Sequence, residues 1–161
     1  MMNAVKSAYG GKTIFLAILA CILSVQISQA QWQPDVRLTN NPSPSFTSSN
    51  MCVASSGDSV HVVWRDYRDG NSEIYYKRST DAGVSWGADI RQTSNYRDSF
   101  YPSVAVSGSA VHVVWHDDRD TNYEIYYKRS IDGGVNWSSD ARLTTSSAYS
   151  EVASVSVSGS T

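Results

Sequence analysis

The sequence predicts an all-β fold built from repeated four-stranded antiparallel sheets. The first observation is a duplication: 34 residues, Val60 to Thr93, recur without a gap 51 positions later, Val111 to Thr144, with 23 identities. The second is the lack of any apolar pattern of helical period after Ala30, where short β-rich runs alternate with turn residues. A period near 50 residues is typical of modules that stack to bury their apolar faces.

Residues 1–30 have the pattern of an export signal. Two lysines precede an apolar run from Ile14 to Val25, and the small-residue triplet Ser28-Gln29-Ala30 follows it. We expect cleavage after Ala30 and a mature protein that is secreted or held at the cell surface. The apolar run is shorter than the roughly 20 residues that cross a bilayer, and no second run follows, so no membrane span is expected in the mature chain.

Composition excludes several classes of partner and stabilising device. The full chain has a formal net charge of −2 and no run of like charges, so we expect no nucleic-acid partner. Cys52 is the only cysteine outside the export signal, which predicts no intrachain disulfide. The acidic stretch from Asp66 to Glu73 fits no oxygen-ligand loop and is explained by a hairpin turn, so neither a metal nor a cofactor is predicted.

Four strands are predicted in each copy. In the first copy they are Val53 to Ser55, Val60 to Trp64, Glu73 to Ser79 and Trp86 to Gln92, and in the second Ser103 to Ser107, Val111 to Trp115, Glu124 to Ser130 and Trp137 to Leu143. The run Val-His-Val-Val-Trp does not alternate between apolar and polar residues, which indicates a strand buried on both faces. Stacked four-stranded sheets fit the blades of a β-propeller, and other arrays of sheets remain open.

Partial copies flank the two complete ones. Asp35 to Thr39 matches the end of the module, and Ser154 to Gly159 matches Ser103 to Gly108. The predicted organisation is an export signal (1–30), a lead-in with the last strand of a preceding or closing blade (31–50), a first blade (51–97), a second blade (98–147) and the first strand of a truncated third blade (148–161). Since propellers close with four to eight blades, we expect an N-terminal portion of a longer protein, or oligomeric closure if the chain is complete.

One turn motif, Ser-x-Asp-x-Gly-x-x-Trp, stands at the same place in both copies. It comprises Ser79, Asp81, Gly83 and Trp86 in the first copy, and Ser130, Asp132, Gly134 and Trp137 in the second. The pattern predicts a hairpin turn, because Asp can accept backbone N–H groups, Gly permits a positive φ, and Trp can pack the returning strand onto the one before it.

These motifs resemble the Asp-box, or bacterial neuraminidase repeat, of sialidase-like β-propellers. The resemblance covers about the whole mature chain, with two complete boxes. It implies a propeller in which each box lies between the third and fourth strands of a blade, away from the active site, as a structural element. Such a resemblance supports a fold more than it supports an activity.

The same family implies a chemistry that can be sought in the sequence. Sialidases bind the substrate carboxylate with three arginines and use a tyrosine nucleophile activated by a glutamate, with an aspartate as acid/base. The first arginine lies in an Arg-Ile-Pro motif ahead of a first strand. Phe100 takes its place in the nearest match, Phe100-Tyr101-Pro102, and the ungapped equivalent, Ser49-Asn50-Met51, also lacks arginine.

The sequence therefore favours binding of a glycan or an extracellular protein. The alternative is a glycoside hydrolase of the exo-sialidase type, with catalytic residues mostly beyond Thr161. A purely architectural spacer is the third alternative.

Comparison of the two copies separates scaffold from candidate site residues. The polar and aromatic residues between Arg68 and Arg78 that recur between Arg119 and Arg129 are interpreted as structural, and His61 and His112 as packed histidines. Residues that differ between copies, or lie in loops ahead of a first strand, are the pocket candidates, and no catalytic residue is assigned. The candidates are Arg65, Tyr67, Arg97, Asp98, His116 and Tyr123.

Overall fold

A computed structural model describes residues 34–47 and 51–159. The predicted export signal, Ser49 and Asn50 lie outside these residues. From Val36 onward the chain forms one compact unit, and its described residues contain nine strands and no helix. The all-β prediction is therefore confirmed for this part of the chain. The described residues also include no helix long and apolar enough to cross a membrane.

The first sheet contains five antiparallel strands. They are β1 (Ser45–Phe46), β2 (Val53–Ser56), β3 (Ser59–Asp66), β4 (Glu73–Ser79) and β5 (Ile90–Arg91). β1 and β2 pair with one edge of β3, β4 pairs with the other, and β5 pairs with β4. β1 and β2 thus act as two pieces of one first strand.

The second sheet repeats this arrangement with four strands. They are β6 (Ser99–Ser107), β7 (Ala110–Asp117), β8 (Glu124–Ser130) and β9 (Ala141–Arg142), hydrogen-bonded in chain order. The registers of the central pairs are equivalent, since Trp64 faces Tyr75 across β3 and β4 and Trp115 faces Tyr126 across β7 and β8. The duplicated sequence therefore folds into duplicated sheets.

The strand pairing at the start of the first sheet shows that the alignment of the two copies needs a gap there. Phe100 pairs with His116, and at the equivalent position of the first sheet it is Phe46, not Ser49, that pairs with Arg65. The first copy thus carries three extra residues between this phenylalanine and β2. β6 passes the same point with a β-bulge between Phe100 and Ser103.

The predicted fourth strands were also too long. The fourth strands cover only Ile90–Arg91 and Ala141–Arg142. After each Ser-x-Asp-x-Gly-x-x-Trp turn the chain makes one backbone hydrogen bond to the preceding strand, from Gly87 to Arg78 or from Ser138 to Arg129, before it leaves the ladder. Residues 154–159, predicted as a strand, join no ladder. They contact the second sheet through the hydrogen bond from the Val155 N–H to Ser103 Oγ and that from Ser107 Oγ to the Gly159 carbonyl.

The core lies between the two sheets. The first sheet contributes Val63 and Tyr76, and the second contributes Val113 and Trp115, all of them fully buried. The opposite face of β3 and β4 is covered by Leu38 and Trp86, among other side chains. Both faces of β3 are therefore covered, as the unbroken apolar run predicts.

Each sheet is bonded to the segment of chain that precedes it through an equivalent lysine. Lys77 Nζ donates to the Leu38 carbonyl at 2.7 Å, and its equivalent Lys128 donates to the Gln92 carbonyl at 2.5 Å. The segment around Leu38 thus lies against the first sheet as the end of β5 lies against the second.

The start of β6 is repeated in the same way. The Ser99 N–H donates to the Ser72 carbonyl, and the Ser150 N–H donates to the Tyr123 carbonyl, both at 2.8 Å. Because these residues are equivalent, the segment from Ser150 begins along the second sheet as β6 begins along the first.

A candidate ligand-binding pocket at the ends of the strands

Both Ser-x-Asp-x-Gly-x-x-Trp turns are closed by their own side chains. Asp81 Oδ1 accepts from Ser79 Oγ at 2.7 Å and from the Ser85 N–H at 2.8 Å, and Asp132 is bonded in the same way. The hydrogen bonds from the side chain and N–H of Ser85, followed by that from Ser79, lower the pKa of Asp81 to about 2. Gly83 has φ 89° and provides the left-handed turn residue.

The second of these turns also packs against the first sheet. Arg78 Nη1 donates to the Gly133 carbonyl at 2.6 Å, and the Trp137 ring lies 4.9 Å from the Tyr76 ring, edge to face. A Cβ added at Gly134 would overlap the Tyr76 hydroxyl. This turn therefore joins one module to the next.

A buried aspartate organises the end of each central strand. Asp66 accepts from Trp64 Nε1 and from Ser45 Oγ, each at 2.9 Å, and pairs with Arg68 at 2.7 Å. Asp117 has the same partners, namely Trp115, Ser99 and Arg119. Burial alone would raise the pKa of each carboxyl, but the hydrogen bonds, chiefly those from the arginine, outweigh it and lower both pKa values.

A buried glutamate ties each third strand to the fourth. Glu73 pairs with Arg91 at 2.7 Å and also accepts from Thr93 Oγ1. Glu124 repeats these contacts with Arg142 and Thr144. The buried carboxylates that recur are thus bonded within their own module, which fits the structural role that the sequence comparison indicates.

A pocket of about 300 Å³ opens beside the ends of β3 and β7. Its lining consists of Arg65, Phe100, Tyr101, His116, Tyr123, Glu151 and Val152. At each of these positions at least two copies differ, although Phe46 of the first copy matches Phe100. Arg65 and His116 share one position, Phe100 and Glu151 a second, Tyr101 and Val152 a third, and Tyr123 replaces Ser72.

Two pocket residues have a backbone conformation that is rare outside glycine. Tyr101 lies in the bulge of β6 with φ 51°, and its equivalent Val152 has φ 55°. A left-handed conformation is costly for a β-branched residue such as valine and persists only when its surroundings impose it. The strain recurs at the wall of the pocket.

Arg65 is a cation held among aromatic rings. Its guanidinium carbon lies 4.7 Å from the centroid of Phe46, 5.2 Å from that of Phe100 and 5.4 Å from that of Tyr67. Its Nε is buried without a hydrogen-bond partner, and no carboxylate of residues 34–47 and 51–159 lies within ion-pair distance. By contrast, Arg68 pairs with two carboxylates. Arg65 therefore has donor capacity that the described protein groups do not use.

His116 forms the floor of the pocket and is only 3% exposed. Its Nδ1 accepts from the Val152 N–H at 3.2 Å, and the rings of Tyr101 and Tyr123 lie 5.1 and 5.0 Å away. Burial lowers the pKa of His116, outweighing the opposite effect of Glu151 and other nearby acids. A neutral ring is also what the contact with Val152 requires, because Nδ1 must act as an acceptor.

Three of the six sequence candidates line the pocket, namely Arg65, His116 and Tyr123. Tyr67 packs behind Arg65. Asp98 accepts from the Ser72 N–H at 2.7 Å and fastens its loop, while Arg97 is exposed beside Tyr96.

Sequence reasoning missed Phe100, Tyr101, Glu151 and Val152 as pocket residues. The difference between copies at these positions would have indicated the last three. The pairing of Phe46 with Arg65, which only the strand register reveals, was needed to align Phe100 correctly.

Comparison of the chain with protein-family models, curated proteins and solved structures found no significant match. Within the described ranges, no group of three or more His, Cys, Asp or Glu side chains is arranged to hold a metal ion.

Proposed function

We propose that this chain is part of an exported, sialidase-like Asp-box β-propeller that binds carbohydrate in the pocket between Arg65 and Tyr123. Two equivalent antiparallel sheets, packed face to face and joined by recurring contacts, support the propeller. The closed Asp-box turns between the third and fourth strands support the family assignment.

The observation that carries the proposal is the composition of the pocket. In an array of similar modules, groups that every module needs for folding recur, whereas a binding site is required once. The recurring carboxylates Asp66 and Asp117 pair with recurring arginines within their own modules, while the pocket lining comes from positions at which at least two copies differ.

The pocket chemistry suits a sugar better than a flat protein surface. It is a small concavity with aromatic rings, against which the apolar faces of a pyranose can pack, and with few polar groups. Arg65 offers unused donors and Glu151 offers a carboxylate acceptor. Together these groups can fix the orientation of a ring bearing several hydroxyls.

Binding is favoured over hydrolysis because the pocket lacks the usual pair of acids. Most glycosidases use two carboxylates, and among the described lining residues only Glu151 has one. A sialidase would instead use an activated tyrosine, but burial and several nearby acids raise the pKa of Tyr123, which disfavours the phenolate. An exo-sialidase reading would need catalytic residues outside the described part of the chain.

The test is binding to a glycan array, followed by titration calorimetry with the glycan that binds. Arg65→Ala and Tyr123→Ala should each weaken binding by about tenfold or more, in line with the loss of a polar or aromatic anchor. Arg97→Ala and Tyr96→Ala are the matched controls, since both side chains are exposed and do not line the pocket. Lack of binding by the wild type, or unchanged binding by Arg65→Ala, would contradict the proposal.

A second assay separates the hydrolase alternative. We expect no release of fluorophore from a fluorogenic sialoside. Turnover that disappears in Tyr123→Phe would instead favour an enzyme.

A further inference from the structure

At the rim of the pocket, two positions carry polar residues in the first copy and tyrosines in the second. In the first copy the Ser72 N–H donates to Asp98 Oδ1 at 2.7 Å, which fastens the loop before β6. The equivalent positions in the second copy are Tyr123 and Tyr149, whose rings lie 5.3 Å apart at 56°. A hydrogen-bonded pair is thus replaced by an aromatic pair where the pocket opens.

The second loop is held in place without this aromatic pair. Asn122 Nδ2 donates to the Ser146 carbonyl at 2.9 Å and to the Ala148 carbonyl at 3.1 Å, and Asn71 makes the equivalent two bonds in the first copy. The hydrogen bond from Ser150 to Tyr123 fixes the end of the loop. The backbone contacts needed to place the loop therefore recur, while the tyrosine at 149 is specific to this copy.

Tyr149 leaves most of its ring in solvent. It is 71% exposed, whereas Tyr123 is half-buried in the pocket wall. The two rings form a continuous aromatic surface that begins in the pocket and extends onto the rim. Such a surface is suited to a ligand longer than the pocket itself.

We propose that Tyr149 is a second stacking position, so that the ligand is an oligosaccharide with one sugar in the pocket and the next over Tyr149. This inference rests on the proposed carbohydrate binding, and it adds that the ligand contains at least two sugars. The sugar in the pocket contacts Arg65 and Tyr123, and its neighbour covers the Tyr149 ring.

The experiment uses the whole chain and a printed array that carries each sugar both alone and as the terminal residue of oligosaccharides. The bound oligosaccharide should bind about fivefold or more tightly than its own terminal monosaccharide, the size of effect expected of one aromatic contact. Tyr149→Ala should reduce oligosaccharide affinity to that of the monosaccharide and leave monosaccharide affinity unchanged. Tyr149→Phe should retain the preference, and Tyr96→Ala, which removes a tyrosine that is 78% exposed, should leave both affinities unchanged.

The outcomes separate the two proposals. If the wild type binds no glycan, the proposed function fails and this inference fails with it. If it binds, but the monosaccharide binds as tightly as the oligosaccharide or Tyr149→Ala has no effect, only the second position is overturned. A Tyr149→Ala protein that loses monosaccharide binding and unfolds at lower temperature would also overturn it, since the tyrosine would then be structural.

Discussion

The two sheets carry the same buried acid at the ends of their second strands, Asp66 and Asp117, but a different residue one position earlier, Arg65 and His116. The acids keep the same three kinds of partner in both sheets. The residues before them contact different groups, because Arg65 lies among aromatic rings and His116 accepts from the Val152 N–H. Two adjacent positions of one strand thus have different roles. The acid stabilises the module, and the residue before it lines the pocket.

The largest expected effect is the loss of stability when the buried tryptophan of either sheet is removed. Trp64 and Trp115 occupy the same position and are both buried. Substitution of either by Ala should cost about 4 kcal/mol in the free energy of unfolding, because each leaves a large cavity. Urea denaturation would measure it. A loss below about 1 kcal/mol for one tryptophan only would show that the two sheets are not equivalent scaffolds.

A smaller difference should separate the two Ser-x-Asp-x-Gly-x-x-Trp turns. Both Gly83 and Gly134 have a positive φ, so Ala at either position is strained. Only the Cβ of Gly134→Ala also meets Tyr76, whereas that of Gly83→Ala meets Trp86 at an ordinary 3.8 Å. We expect a loss of about 3 kcal/mol for Gly134→Ala against about 1 kcal/mol for Gly83→Ala, measured by thermal and urea unfolding. Equal losses would contradict the docking of the second turn on the first sheet.

Acid should destabilise the protein through two buried histidines. Burial lowers the pKa of both His61 and His116 below their usual 6.5. The folded state then binds fewer protons than the unfolded state, so stability is full above pH 6.5 and decreases as the pH falls below it. Unfolding free energies between pH 8 and pH 5 should show this decrease.

Substitution of the two histidines provides the control. His61→Gln and His116→Gln should each reduce the dependence on pH, and the double variant should reduce it further. A double variant with the slope of the wild type would assign the acid sensitivity to other groups.

The smallest effect concerns a turn in which the copies differ. Thr121 has φ 81° where the first copy has Gly70 at φ 92°. Because a β-branched residue is strained in this region, Thr121→Gly should stabilise the protein by about 1 kcal/mol. The reverse change, Gly70→Thr, should destabilise it by a similar amount. Calorimetric melting of both variants would check the pair, and a destabilised Thr121→Gly would show that the threonine side chain is needed.

The second and third strands of each sheet could be predicted from the sequence because the apolar run and its 51-residue repeat mark them directly. Their partners at the edges could not. β1 contains only two residues, and three extra residues hide its equivalence to the start of β6. Short edge strands depend on tertiary contacts, and local sequence contains little information about those contacts.

The candidate site could likewise be predicted only in part from the sequence. Differences between copies identified Arg65, His116 and Tyr123, which converge on one pocket. They do not show that Val152 reaches the same pocket, because its place is set by its hydrogen bond to His116, a residue 36 positions away. Asp98 also differs from its counterpart, yet its role is to fasten a loop. Variation between copies therefore indicates candidates, and the contacts decide among them.

The most direct measurement uses one double variant, Arg65→His with Tyr123→Ser, which gives each module the residue of the other at one pocket position. Glycan affinity and melting temperature would be measured together. If recurring residues build the scaffold and differing residues build the site, the variant melts within a few degrees of the wild type and loses its glycan binding. Retained binding, or loss of the folded state, would contradict that division.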